Sequence, residues 1–280
     1  MISRDESESS LEARALAQFD SLVEKGEVFW EPTEEIRYEQ KPFDVYFRIS
    51  PITNAKPYNP NDKSRKPGFL DDDPEFTLCK VAPDHKLILN KYCWLRPQLI
   101  LHTLDFQSQK DMLTQADFHA ANEVLKQLGD RYMIIFNGGP DAGSSVAHKH
   151  LQVFPRPERR TVVEDLLENP ELMLPFRYEL AKLDENTKSE DIYNHYKSMC
   201  NKLAISNGTP QSLVLVKEWL IVLPRTCATI KGEIEGALMQ GGANAMIGML
   251  WLKTPEQFEN WKKYGPMKVL TEFGVTTKTD

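Results

Sequence analysis

The 280-residue chain reads as an α+β protein, an antiparallel β-sheet flanked by helices. Three observations carry that reading. Short runs rich in Val, Ile, Leu, Phe and Tyr recur between turn residues, at 43–49, 77–81, 86–90, 97–104 and 132–136. Two of these runs flank a Pro83-Asp84 turn and a third follows closely, which describes an antiparallel meander. Other stretches repeat their apolar residues with the helical period and carry start and stop signals. With 41% apolar residues the chain can bury a sizeable core, and it is read as a single unit over 1–280: a first helix at 9–26, a first half at about 43–160 and a second half at about 161–280.

The elements follow in order. Ser9 or Ser10 caps a helix whose inner face is Leu11, Ala15, Leu16, Phe19, Leu22 and Val23, ended by Gly26. In 43–49, Phe43, Val45, Phe47 and Ile49 alternate with polar or larger neighbours as in a half-buried strand. Residues 51–74 form a long irregular stretch with Lys56, Lys63, Arg65 and Lys66, either a polyphosphate-facing loop or a solvated one. After the meander, Thr114 and Asp117 make a capping box for a helix that stops at Gly129. Strand 132–136 runs into a Gly-rich loop at 137–145, then a strand through 148–153. Arg156, Arg159 and Arg160 leave that strand toward phosphates or toward solvent. Helices are expected at 161–169 and 189–203, strands at 211–217 and 219–225, a last strand at 243–252, and helices at 255–263 and 266–274. Trp251, Phe258, Trp261 and Phe273 are read as core, and His85, His102, His119 and His195 as surface or satisfied core.

The segment 132–155, YMIIFNGGPDAGSSVAHKHLQVFP, holds the chemistry. The strand period of two puts His148, His150 and Gln152 on one face, opposite Lys149, Leu151 and Val153. Asn137, Gly138, Gly139 and Gly143 let the preceding backbone turn tightly and present N–H groups to an anion, with Ser144 and Ser145 as hydroxyl donors. The loop is not a Walker sequence and is not followed by a helix. A neutral imidazole beside a phosphate site can attack phosphorus through one nitrogen while the other N–H is held by an acceptor. His150, the middle residue, is the natural nucleophile. Gln152 can donate a hydrogen bond to a phosphoryl oxygen but has no proton to deliver, which favours transfer over hydrolysis. Taken alone, His-x-His also fits plain strand residues or two ligands of a metal.

His148-Lys149-His150-Leu151-Gln152-Val153-Phe154 resembles the histidine-triad motif in its His-x-His-x-Gln form, typical of the nucleotidyltransferase branch. With FNGGPDAGSS before it, the chain is most similar to fungal-type diadenosine tetraphosphate phosphorylases, also called ATP adenylyltransferases, from about residue 43 to the C-terminus. The resemblance implies a histidine-triad-like sheet with a degenerate second half, as in the related hexose-1-phosphate uridylyltransferases. It implies that His150 takes up the nucleoside monophosphate, that His148 helps position it and that Gln152 contacts the α-phosphate. It places Asn90 at the ribose hydroxyls and gives Lys56, in Lys56-Pro57, and Lys231, before a flexible Gly232, phosphate roles. Gln98 stands where many histidine-triad proteins have another histidine, which leaves it no inherited role.

The implied reaction is cleavage of diadenosine tetraphosphate to ATP and ADP through adenylyl-His150. Its ligands are diadenosine polyphosphates, ATP, ADP, an AMP group and inorganic phosphate. A divalent cation, Mg²⁺ or Mn²⁺, would enter with the polyphosphate, and no protein-bound metal site is expected. The alternatives are a hexose-1-phosphate uridylyltransferase, disfavoured by Lys149 and by the lack of Cys-x-x-Cys, and a nucleotide sensor without turnover. The net charge of −7 argues against a general nucleic-acid partner. Four scattered cysteines, no signal-like start and no long apolar run point to the cytoplasm, with the nucleus open to it, and away from membranes; a monomer is expected.

Overall fold

The computed structural model describes residues 9–52, 69 and 73–276, so Lys56, Lys63, Arg65 and Lys66 lie outside the described residues. Ser10 Oγ accepts from Ala13 N at 3.2 Å and opens α1 (Leu11–Glu24), which turns Leu11, Ala15, Phe19 and Leu22 inward. Strands β1 (Ile36–Tyr38) and β2 (Val45–Ile49) pair next. The meander is β3 (Thr77–Val81), β4 (His85–Leu89) and β5 (Leu99–Thr103). The Thr114/Asp117 capping box forms in both directions and starts α2 (Gln115–Leu128), with Gly129 at its C-cap. Next come β6 (Tyr132–Gly138) and β7 (His150–Pro155), which carries the histidine motif into the sheet.

The second half begins with α3 (Val162–Glu168), β8 (Glu179–Lys182) and α4 (Ser189–Leu203). Strands β9 (Gln211–Leu215) and β10 (Trp219–Pro224) form a hairpin, then β11 (Thr229–Ile230) and β12 (Met239–Gln240) a smaller one. The chain ends in α5 (Ala243–Met246), β13 (Met249–Leu252), α6 (Pro255–Tyr264) and α7 (Pro266–Phe273).

Eight strands join in the order β3-β4-β5-β7-β6-β9-β10-β8, every neighbour antiparallel. The α+β class read from the sequence is the one the chain adopts. Alternation sorts the side chains into two cores. Leu87, Leu99, Leu101, Leu151, Val153, Ile134 and Phe136 join α1, α2 and α4 on one face, whereas Met133, Ile135 and Phe154 join the second sheet, β1-β2-β13, and helices α3 and α5–α7 on the other. β7 is fourth of eight, so the site sits mid-sheet.

Two differences from the sequence reading have physical causes. The expected strand at 243–252 is a short helix, a turn at Gly248 (φ +86°) and the strand Met249–Leu252, which pairs parallel with β2. An unbroken apolar run cannot tell buried helix from buried strand. Strands β1, β8, β11 and β12 have two to four residues each, too short to show a period. Trp261 and Phe273 are fully buried, as expected of core, while Trp251 stacks on Trp94 at 5.8 Å and meets Phe154 edge-on.

Candidate active site

The ladder pairs Lys86 with His102 and His102 with His150, so one row across β4, β5 and β7 carries a lysine and two imidazoles on the same face. His148 lies just before β7, bridged to Ser108, and its ring is 5.6 Å from that of His102. The Phe69 ring stacks on His102 at 4.9 Å and meets His150 at 5.4 Å and His148 at 5.8 Å edge-on. All three imidazoles are therefore held against an apolar wall. Lys86, His102, His148 and His150 are each less than a tenth exposed.

Carbonyl oxygens only accept, and this fixes the tautomer that each ring has when it is neutral. His150 Nδ1 lies 2.9 Å from His148 O, so Nδ1 carries the proton and Nε2 the lone pair. His148 Nε2 donates to Thr103 O at 2.8 Å and lies 3.0 Å from Thr103 Oγ1, whose own proton goes to Asp105 O. His102 Nδ1 donates to Thr103 O at 2.8 Å. Burial pushes the His102 pKa down to about 4, so that ring is neutral at physiological pH.

Two glutamines that the sequence reading did not credit complete the site. Gln109 replaces a rung of the ladder where β6 and β7 part: its Oε1 accepts His150 N–H at 2.7 Å, and its Nε2 lies 2.8 Å from Asn137 O and 3.0 Å from His150 O. Gln98 gives Nε2 to Gln152 Oε1 at 2.8 Å and takes Trp94 N–H at 2.8 Å. Its position, eight residues after Asn90, was the only signal for it in the sequence.

The Gly-rich loop differs from the expected cradle of N–H groups. Gly139, Ala142, Gly143 and Ser144 direct their N–H groups to Asn137 O, Gly139 O, Pro140 O and Gly139 O within the loop, and Ser144 Oγ donates to Val146 O at 2.8 Å. The loop closes on itself, as a single turn of 3₁₀ helix over Pro140–Ala142, and spends those donors there. Gly143 is at φ +102°, and a Cβ on it would lie 3.0 Å from Gly242 Cα, so only glycine fits. Asn137 Oδ1 accepts Ala243 N–H at 2.8 Å, which leaves its amide nitrogen as the donor end. Gly138 packs on Gln211 and Gly139 on Lys110.

Behind the strand, Lys149 is 1% exposed, with Nζ 2.8 Å from Gln107 Oε1 and 3.4 Å from Asp117 Oδ2. Asp117 also accepts from His85 Nε2 at 2.9 Å. Burial raises the Asp117 pKa, but the His85 hydrogen bond and the Lys149 charge outweigh it and hold the carboxyl below its ordinary value.

The remaining candidates are more dispersed. Asn90 Nδ2 donates to Tyr92 O at 2.9 Å and its N–H to Gln98 O at 2.8 Å, fastening the excursion between β4 and β5 next to Gln98. Lys231 is exposed after β11, in a segment pinned by Asn260, which bonds Ile234 and Ala237. A Cβ on Gly232 would strike Asn260 at 2.5 Å, so this glycine permits close packing and is not the flexible hinge expected. Arg156 pairs with Glu164 and Glu218, Arg159 with Glu35 and Arg160 with Asp165 and Glu168, so these side chains engage carboxylates of the chain, a reading that the choice between phosphates and solvent did not include. Among the described residues no group of three or more His, Cys, Asp or Glu is placed to hold a metal ion, and no helix is long and apolar enough to cross a membrane.

Residues 7–169 match the Ap4A phosphorylase N-terminal domain and residues 172–276 the ATP adenylyltransferase C-terminal domain. Diadenosine 5',5'''-P1,P4-tetraphosphate phosphorylase 2 of Saccharomyces cerevisiae is 26% identical over 270 residues, covering 81% of this chain and 82% of its own length. Protein APA1 of the same yeast is 30% identical over 206 residues, covering 62% of this chain and 63% of its own. The crystal structure of yeast Ap4A phosphorylase Apa2 in complex with Ap4A shares the fold, with a TM-score of 0.81 over 99% of both chains at 22% identity. The Apa2 complex with AMP superposes with a TM-score of 0.79, covering 97% of this chain and 99% of that one at 21% identity.

Proposed function

The chain belongs to the Ap4A phosphorylase family, and from that premise we propose that it cleaves diadenosine tetraphosphate by phosphorolysis through an adenylylated His150. The observation that carries the reading is the orientation of His150. Its Nδ1 proton is held by His148 O, so the Nε2 lone pair belongs to the strand face shared with Gln152.

In this reading Nε2 forms a bond to the α-phosphorus as the bond to the bridging oxygen breaks, and ATP leaves. Its departing phosphate oxygen is a weak base and needs no proton, which suits Gln152, a residue with none to give. Inorganic phosphate then attacks the same phosphorus, the P–N bond breaks, and ADP forms. The Gln152 amide and the Asn137 amide nitrogen are aimed as donors at the phosphoryl oxygens, where charge grows in the transition state. Gly138, Gly139, Ser144 and Ser145 shape the pocket wall, His148 fixes the His150 tautomer through its carbonyl, Asn90 serves the ribose, and Lys56 and Lys231 serve the polyphosphate. A divalent cation enters with the polyphosphate. The reading is completed by a monomer in the cytoplasm, acting on free nucleotides and not on nucleic acid.

The test is intact-mass analysis after brief incubation with diadenosine tetraphosphate and Mg²⁺, followed by a phosphate chase. An acid-labile AMP adduct on His150 that is discharged as ADP is expected, and His150→Asn should abolish it. No adduct on the wild-type protein, or an adduct on another residue, would overturn the nucleophile assignment.

A further inference from the structure

Gln98 is 1% exposed, and both ends of its amide are committed. A backbone N–H can only donate, so the Trp94 N–H at 2.8 Å obliges Gln98 to face it with Oε1. The Gln98 Nε2 is thereby turned to Gln152 and meets its Oε1 at 2.8 Å. Gln152 must answer with its oxygen, and the end of its amide left for a ligand is the donor, Nε2. We propose that Gln98 is a positioning residue that sets the polarity of the Gln152 amide, so that an α-phosphoryl oxygen meets an N–H and not a carbonyl.

A glutamine amide has nearly the same shape when rotated by half a turn, and the reversed rotamer would put oxygen against oxygen at the phosphate. Something outside the amide must choose. Here the reference is the Trp94 N–H in the Asn90–Gln98 excursion, and its polarity passes through Gln98 to Gln152 and on to the phosphate. This also accounts for a glutamine at a position where a titrating side chain would give the relay two possible directions. The inference rests on the reading that the nucleotide α-phosphate lies at Gln152 and His150.

The test is AMP affinity by titration calorimetry for the wild type, Gln98→Glu, Gln152→Met and the double variant, at pH 8 and pH 5.5. At pH 8 a carboxylate at position 98 accepts from both Trp94 and Gln152 and reverses the Gln152 amide, so the AMP Kd should rise about 10-fold. At pH 5.5 the carboxyl, whose pKa burial raises, is protonated and donates where Nε2 stood, and the gap should close to about threefold or less. In the Gln152→Met background the same Gln98→Glu change should shift Kd by less than about twofold at either pH, because Gln98 acts only through Gln152. An equal loss at both pH values, or an equal loss with and without Gln152, would show a structural or purely electrostatic effect and overturn the proposal. Should Gln98→Glu fail to fold at pH 8, Gln98→Met is the second variant: a loss of about threefold is expected with Gln152 present and none in the Gln152→Met background. A wild-type protein that binds AMP but forms no adduct with diadenosine tetraphosphate removes the covalent reading while this cycle still decides Gln98. A wild type that does not bind AMP overturns both.

Discussion

His102 shows how far a residue's chemistry follows its neighbours. Buried between Phe69 and His148, it is held neutral, with burial lowering its pKa to about 4 against an ordinary value near 6.5. A folded-state pKa below the unfolded one means that the unfolded chain takes up the proton first as pH falls. His102 therefore costs nothing above about pH 6.5 and destabilises the fold progressively between about 6.5 and 4, by about 3 kcal/mol at the end. His102→Gln should flatten that acid limb relative to wild type in urea unfolding followed from pH 7 to pH 4, and parallel curves would refute the assignment. Gln109 makes a sharper demand. Gln109→Met would remove the acceptor of His150 N–H and one of two donors to Asn137 O, which keeps Gly139 N–H, and a loss of about 1–3 kcal/mol is expected, with adenylylation slowed because the His150 backbone is released. At this scale His148, His150 and Gln152 were legible because one extended stretch, β7 and the two residues before it, carries them two residues apart. His102, Gln98 and Gln109 come from 41 to 54 positions away, and only the register of β5 on β7 and the path between β5 and α2 bring them in.

At the scale of elements, sequence reading was strong where a local rule decides. The Ser10 cap, the Thr114/Asp117 box and the Pro255 start mark α1, α2 and α6 in the chain as they do in the structure. It failed where two packings share one composition, as in 243–252, or where a glycine's reason is a neighbour, as Asn260 is for Gly232. The Gly-rich loop belongs to the same class: its composition announces a tight turn, but which carbonyls take its N–H groups depends on the turn formed. Lys149 is legible in the sequence as a residue on the face opposite the histidines and as a departure from the uridylyltransferases, but its partner is not: its ammonium is buried against Asp117 on α2 and ties the start of β7 to that helix. Removing one member of a buried pair leaves the other charge uncompensated, so Lys149→Met should cost about 3–5 kcal/mol and lower the rate of His150 adenylylation, since both flanking histidines lose their anchor. Stability within about 1 kcal/mol of wild type in urea titration would show that His85 alone satisfies Asp117.

Across the molecule, the two halves share one sheet, and Arg225 at the end of β10 fastens the junction beside the site. The guanidinium is 3% exposed and donates to Ala142 O in the Gly-rich loop (3.3 Å), Ser212 Oγ on β9 (2.9 Å), Cys227 O and Gly241 O (2.9 Å each) and Phe273 O at the end of α7 (3.1 Å). No carboxylate is among these acceptors. Burial alone pulls its pKa down, to about 10, so it stays charged at neutral pH and is stabilised by carbonyl dipoles. Only a planar group with five N–H donors can serve acceptors spread over four segments at once. Lysine has three donors at one point, so Arg225→Lys should be intermediate, while Arg225→Met removes the donor to Ala142 O, Cys227 O, Gly241 O and Ser212 Oγ, with Phe273 O still taking Thr226 N–H, and should cost about 3 kcal/mol or more. Because Ala142 precedes Gly143, which packs on Gly242, freeing this latch should also loosen the loop wall of the site. Thermal unfolding should rank wild type above Arg225→Lys above Arg225→Met, and single-turnover adenylylation should follow the same order. An Arg225→Met protein with the wild-type melting temperature would show that the halves are held by the sheet alone.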